Sequence, residues 1–382
     1  MNLRTPTRGT PPPLLPATLP WQGSPGTAPS ATPWRERLAI SVERAWRWEF
    51  WPSWLYYGPI VVWIVWLGLK YRSPMAFTAA NPALEAGGMA GEKKHHALLP
   101  LQKNAPDLVA TLRFIQAESA VERVAQALEF AKAQRMPLVL KPDVGQRGRG
   151  VFVARDEAQI SDYLTRFKGD VIAQRYVDGE EFGVFVARAP HELAPRILSI
   201  VHKTFPTVTG DGHRSLRELI LADARAKLIS ALLFSRWASE LERVPSPEEV
   251  VKLVEIGAHS RGSVFLDGIA HATPELIETL TRLLDAVPGY AFGRIDLRAP
   301  SIAHFRAGQG LQVLELNGVS AESAHIYHPG TPLLKGYRAM FHQWSTAFAI
   351  GHANIRQGAT TTSAWSLLRQ FRQDLRRGET WF

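Results

Sequence analysis

Gly293-Arg294-Ile295-Asp296-Leu297 and Gln312-Val313-Leu314-Glu315-Leu316-Asn317-Gly318 are the stretches on which the fold turns. Each alternates apolar and polar residues, the period of a β-strand with one buried face. Alternation puts Arg294 and Asp296 on one side of the first strand, and Glu315 and Asn317 on one side of the second. Side by side, two such strands gather two carboxylates, an amide oxygen and a guanidinium. Three oxygen donors suit a hard ion such as Mg²⁺, especially when nucleotide phosphates complete its shell. A charged sheet edge is the plainer alternative, but acids between apolar neighbours are costly to bury without a purpose.

Working back along the chain, Lys203 ends a strand that leads into Thr209-Gly210-Asp211-Gly212-His213-Arg214-Ser215, a turn that opens a helix. Either Lys203 contacts a phosphate or the segment is a turn and a helix start. Before it, Val171–Tyr176 and Phe182–Ala187 read as strands joined at Asp178-Gly179. A strand followed by a tight turn can offer backbone groups to an adenine edge, and Glu181 or Glu180 could accept from ribose hydroxyls. An exposed hairpin is the bland reading. Earlier still, Leu140-Lys141 ends a strand before Gly145-Gln-Arg-Gly148-Arg-Gly150. Glycines let backbone N–H groups close on phosphates while the lysine offsets charge. No Gly-Lys-Ser/Thr follows, so this is not a Walker A loop.

In order and spacing these four pieces resemble the ATP-grasp superfamily, nearest to its carboxylate–amine ligases of the D-alanine–D-alanine ligase and cyanophycin synthetase type. The resemblance runs from about Leu101 to Pro329. It implies an α+β fold in which two subdomains clamp ATP with one or two Mg²⁺ ions, Mn²⁺ being a possible substitute. Lys141 matches the phosphate-binding lysine, with Gly145 and Gly148 in the loop and Lys203 a second phosphate contact. Gln174 and Tyr176 fall at the adenine hinge, and Glu181 matches the ribose carboxylate. Asp296, Glu315 and Asn317 match the metal ligands, and Arg294 the arginine that steadies the reacting centre. Thr209–Gly212 through Glu218–Ile220 is similar to the corresponding stretch of cyanophycin synthetase. Gln174 stands where many of these ligases have glutamate. After Asn317 the chain reads Gly-Val-Ser-Ala-Glu322-Ser-Ala-His325-Ile-Tyr327-His328-Pro, without the Pro-Gly loop of the dipeptide ligases, so the acid and the amine do not carry over. A nucleotide-binding sensor or scaffold without turnover, or a kinase that stops at phosphorylation, are the competing classes.

Composition narrows the rest. The 382 residues are 46% apolar, enough for a substantial core, and carry a formal charge of +9. With no cysteine, disulfides, thiolate zinc sites and a Cys nucleophile are excluded. Basic residues are scattered among acids rather than run together, which argues against nucleic acid and suits an anionic membrane surface. Residues 1–34 hold nine prolines and read as a disordered arm. Arg35–Glu49 suits an amphipathic helix, and Phe50–Leu69 is a charge-free run of twenty residues, close to a bilayer span. Eight of the 12 tryptophans precede Lys70, as at a lipid interface. Gly58-Pro59 interrupts the run, so 35–71 is expected at the cytoplasmic face of a membrane as a re-entrant, interfacial or single-span attachment. A buried core helix is the alternative. Residues 72–104 read as a Gly/Ala-rich connector, 105–345 as the catalytic domain, and 346–382 as a C-terminal amphipathic region. Capping boxes are expected at Ser119-x-x-Glu122 and at Ser246-Pro-Glu-Glu249, each opening a helix.

Overall fold

The computed structural model describes residues 38, 40–42, 47–116, 119–145, 148–254 and 263–379. The Pro-rich arm and most of the Arg35–Glu49 helix lie outside them. The chain divides into two compact units, one containing Phe205–Glu255 and the other Ala45–Thr204 with Ile256–Phe382.

The larger unit holds two antiparallel sheets. The first has the order β1 (Leu112–Ile115), β4 (Val171–Arg175), β2 (Leu138–Pro142), β3 (Phe152–Ala154). The second runs β11 (Gln312–Asn317), β10 (Phe292–Ala299), β5 (Glu180–Ala187), β6 (Arg196–Thr204), β9 (Val264–Asp267). β4 and β5 therefore belong to different sheets, and Tyr176–Gly179 is the crossing between them rather than the bend of an exposed hairpin. The α+β reading stands.

Helices follow the patterning. With α1 as Ser53–Lys70 and α2 as Lys94–Asn104, α3 (Ala120–Gln134) starts on Ser119, whose hydroxyl accepts from the Glu122 N–H. α3 and α4 (Glu157–Arg166) cover one face of the first sheet, burying Ala127, Phe130, Ile160 and Leu164 against Leu138, Leu140 and Ala173. Val121 of α3 is 80% exposed. It occupies the first turn of the helix, ahead of the residues that meet the sheet. Because Leu140 and Ala173 point to these helices, alternation sends Lys141 and Gln174 the other way.

In the smaller unit, β7 (Thr207–Thr209) pairs with β8 (Val250–Lys252), beside α5 (Leu216–Ala222) and α6 (Ser230–Arg236). Ser215 and Glu218 form a full capping box. Ser246–Glu249 does not: Glu248 has φ 64°, and the β-branched Val250-Val251 continue as β8. A left-handed residue before two β-branched ones turns the chain into a strand instead of a helix.

On the second sheet of the larger unit, Phe182, Val184, Ile200 and Ile295 pack on α7 (Pro274–Ala286) through Leu276, Leu280 and Leu283. A short helix, α8 (Ile302–Arg306), adds Phe305, stacked on Phe182. On the opposite face, Phe185, Ala187 and Phe292 meet α1 and α9 (Leu333–Arg356) through Ile60, Leu67, Trp344 and Phe348. The chain ends in α10 (Ala364–Glu379).

Expectations about both ends change here. α1 is one helix straight through Gly58-Pro59, so the chain does not turn back there. Among the described residues no helix is long and apolar enough to cross a membrane. Nor are the tryptophans all interfacial: Trp48 Nε1 donates to the Thr331 carbonyl (2.7 Å), and Trp63 Nε1 to Phe341 O and Ser345 Oγ (3.2 and 3.1 Å). The stretch read as a connector is folded, with Ala76–Ala79 buried and Asn81 satisfying the Phe292 strand backbone at both N–H and carbonyl. Small side chains allow that close packing, which a composition reading mistakes for a linker. The boundary expected after residue 345 falls inside α9.

Candidate active site

Strand register builds the site. β10 pairs Asp296 with Glu315 and Arg294 with Asn317 across β11. On its other side Asp296 pairs with Gly183 of β5, whose Glu181 pairs with Lys203 of β6. Directly opposed residues share a face, so the five polar side chains and Lys203 stand together on the face that α1 and α9 cover further along. Gly183 makes this possible: a Cβ there would lie 2.9 Å from Asp296 Oδ1 and 2.8 Å from Val201 Cγ1.

Asp296 is the centre of the cluster. It accepts from Arg294 at both carboxylate oxygens (3.0 and 3.2 Å), from Asn317 Nδ2 (3.3 Å) and from Lys203 Nζ (3.1 Å). Burial opposes its charge, but Arg294 and Lys203 outweigh burial and hold the carboxyl below the usual range. The same attraction, from Asp296 first and Glu181 next, keeps the buried Lys203 ammonium raised against desolvation. Glu181 in turn is gripped by Lys203 (3.1 Å) and by Arg298 through Nε and Nη2 (3.1 and 2.9 Å).

From the first sheet, Lys141 Nζ donates to Gln174 Oε1 (2.8 Å) and to the Leu314 carbonyl of β11 (2.7 Å). Desolvation lowers its ammonium to about 8, against the pull of Glu315. Gln174 spends its amide on the Ala110 carbonyl (3.0 Å). Tyr176 lies under the Arg298 guanidinium, 5.4 Å from the ring centre. Gly148 and Gly150 of the loop take φ of +69° and +73°, which glycine adopts freely; residues 146–147 lie outside the described residues.

Thus Lys141, Lys203, Arg294, Asp296, Glu315 and Asn317 come together, while Gln174, Tyr176 and Glu181 border the crossing between sheets. Three groups escaped the sequence reading for want of any signal. Lys94 of α2 bonds the Gly145 carbonyl (2.6 Å) and reaches Glu315 (3.3 Å). Glu92 accepts from the Gly318 N–H (3.3 Å), and burial pushes its carboxyl up to about 8. Asp143, buried, holds His95 by ring and backbone (2.8 and 2.9 Å). Lys94 and Glu92 sit in the stretch without periodicity, where nothing flags them. Arg298 was also missed, although a signal was there: it continues the Arg294-x-Asp296 alternation by one step.

The donor types, two carboxylates opposed on paired strands and the Asn317 amide, suit a hard divalent ion, with Asn317 here turning its N–H to Asp296. Among the described residues no group of three or more His, Cys, Asp or Glu is placed to hold a metal; the third donor is the Asn317 amide.

No protein-family description matches the chain, and no curated protein matches it. Solved structures do. A bifunctional glutathione synthetase from Pasteurella multocida is 17% identical over 65% of this chain and 36% of its own, with a TM-score of 0.35. A D-alanine–D-alanine ligase from Bacillus anthracis is 13% identical over 69% and 67%, at 0.37. The D-cycloserine synthetase DcsG is 14% identical over 66% and 70%, at 0.39. The chain spans about a third of the length of the first and about two thirds of the others. All three are ligases or synthetases by name. Likeness this distant assigns no activity, so function rests on the residues.

Proposed function

We propose that this chain is an ATP-dependent carboxylate–amine ligase that works through an acyl phosphate. The observation that carries the reading is the Lys141 ammonium bonded to β11, at the strand bearing Glu315 and Asn317. It joins a glycine turn on one sheet to a carboxylate cluster on the other.

In the first step a substrate carboxylate oxygen attacks the γ-phosphorus of ATP. The bond from that phosphorus to the β–γ bridging oxygen breaks, and ADP leaves. The amine then adds to the acyl carbonyl, the carbon–oxygen bond to phosphate breaks, and the nitrogen loses a proton to solvent. Lys141, with N–H groups of the glycine turn, would bind the phosphates and offset charge on the transferring group. Arg294, held by Asp296, would face the oxyanion of the tetrahedral intermediate. Tyr176 and Gln174 would border the adenine, and Glu181 the ribose once released in part from Lys203. Asp296, Glu315 and Asn317 would hold Mg²⁺, which neutralises phosphate charge when bound. Lys94 and Lys203 pair with Glu315 and Asp296 and balance their charge.

We also assign the enzyme to a membrane surface, with α1 lying in the interface. One face of α1 is buried against α9, yet Trp54, Leu55, Val61, Val62, Val65, Trp66 and Leu69 on the other are 42–75% exposed. Set on neighbouring turns, they leave a bare apolar surface that ends at Lys70, of the kind a lipid surface covers.

The test of the ligase reading is nucleotide turnover with Mg²⁺ across a panel of acids and amines, scoring ADP and phosphate separately. ADP and phosphate released together, only when both substrates are present, is the expected result. ADP without phosphate would replace it with a kinase, and no turnover with any pair would sink it.

A further inference from the structure

Beside α9 lies a cavity of about 390 Å³ lined by Leu198, His325, Lys335, Arg338, His342 and Gln343, among others. Its chemistry is one-sided. Lys335, Arg338 and His342 follow one another at three and four residues, so they project from one face of α9. His325 comes from the Ala324–Tyr327 turn, and its Nδ1 is buried without a hydrogen-bond partner. Burial lowers the pKa of this ring, with nearby Lys335 adding to that and Asp267 opposing it. Asp267 is also the acid paired with Lys335 (3.4 Å). Glu322 is engaged by the Tyr327 hydroxyl (2.6 Å). Asp267 meets one of the two cations that stand a turn apart on this helix face, and the charge left over there is positive.

The cavity is also placed and rigid. Gln343, buried, accepts from the Ser323 N–H (2.9 Å) and donates to the Ala321 carbonyl (2.7 Å), which fastens the turn to α9. Three residues before His325, the Glu322 carbonyl accepts from Arg294 Nη1 (3.3 Å). One loop therefore touches the reacting arginine and lines the cavity.

We infer that this cavity binds an anionic oxygen group, a phosphate or carboxylate, on one of the two molecules to be joined. The inference rests on the ligase reading and narrows its substrate class. Arg338 supplies a planar fork suited to two oxygens, Lys335 a point charge once Asp267 shares it, and His325 a ring nitrogen otherwise unused. The group belongs either to a soluble substrate or to a lipid headgroup.

Sulfate is the probe, titrated calorimetrically into the full chain saturated with Mg²⁺ and a non-hydrolysable ATP analogue, so that phosphate-binding groups of the nucleotide site are filled. The expected result is binding that weakens about tenfold or more in Lys335→Gln/Arg338→Gln, with analogue affinity unchanged, as expected on losing charge-assisted contacts. Both side chains are exposed, so the variant should fold; a superimposable melt checks it. Sulfate binding that is undetectable in the parent chain, or equal in the variant, overturns the site. Turnover is not involved, so absence of ligase activity would leave this result standing. Vesicles distinguish the sources: loss of binding to phosphatidic acid vesicles, but not to neutral ones, on the same double substitution assigns a headgroup. Unchanged vesicle binding with weakened sulfate binding assigns a soluble substrate.

Discussion

Lys141 Nζ lies 2.8 Å from Gln174 Oε1, and the same ammonium reaches the Leu314 carbonyl at 2.7 Å. Two neighbouring strands of one sheet thus hold a cation against the backbone of the other. The amide is a neutral partner, so it orients the lysine without neutralising it. A glutamate at position 174 would compete with phosphate for that charge.

Lys141→Met should weaken ATP binding at least tenfold with a modestly lower melt, because the desolvation cost it removes is offset by two acceptors, Gln174 Oε1 and the Leu314 carbonyl, left unpaired. In the parent chain ATP affinity should fall as pH rises through about 8, where the free lysine loses its proton. The sign for folding is opposite. The unfolded lysine holds its proton up to about 10.4, so between these values the unfolded state binds more protons and this group makes stability rise with pH. Calorimetric affinities at pH 7 and 9.5, for both proteins, check the first part; affinity independent of pH would refute it.

Asp296→Asn and Glu315→Gln should separate folding from chemistry. Asp296 is buried between Arg294 and Lys203, so its loss leaves two cations short of a partner and should cost about 3–5 kcal/mol as well as activity. Glu315 keeps 29% of its side chain exposed and pairs with Lys94. Its variant leaves the buried Lys94 ammonium with the Gly145 carbonyl as acceptor and should cost about 1–3 kcal/mol, less than Asp296→Asn, yet lose turnover at least a hundredfold. Parent-like turnover with an unchanged melt would remove Glu315 from the site.

Gly183→Ala tests the packing that brings β5 under Asp296. The added methyl has no room beside Asp296 Oδ1 and Val201, and overpacking of this kind costs about 1–3 kcal/mol. The expected variant is destabilised and inactive. A full-strength enzyme would show that the strands shift apart without consequence.

The outer face of α1 should govern membrane binding and little else. Val62→Ser/Trp66→Ser should sediment with anionic vesicles at least fivefold less than the parent, with turnover in detergent-free solution unchanged. Equal sedimentation of the two proteins would return α1 to a purely structural role.

Strand chemistry was the part of this protein written into its residues alone. Alternation in Gly293–Leu297 and Gln312–Asn317 was enough to put Arg294 with Asp296 and Glu315 with Asn317, because a strand's period of two is local and needs no partner. The glycine turn after Lys141 and the helix start at Ser119 were legible for the same reason. One local signal also outweighed another: at Ser246–Glu249 the capping pattern gave way to a left-handed Glu248 and the β-branched Val250-Val251. Packing settled that β4 and β5 part into different sheets, since a single turn at Asp178-Gly179 serves a hairpin or a crossing equally well. It also brought Lys94 to Glu315 and Arg298 to Glu181, contacts whose partners are far apart in the chain. The division of α1 into a face against α9 and a face left bare arose the same way. A run that is apolar all round carries no periodicity to say which side the fold will cover; that is set by the helix it meets.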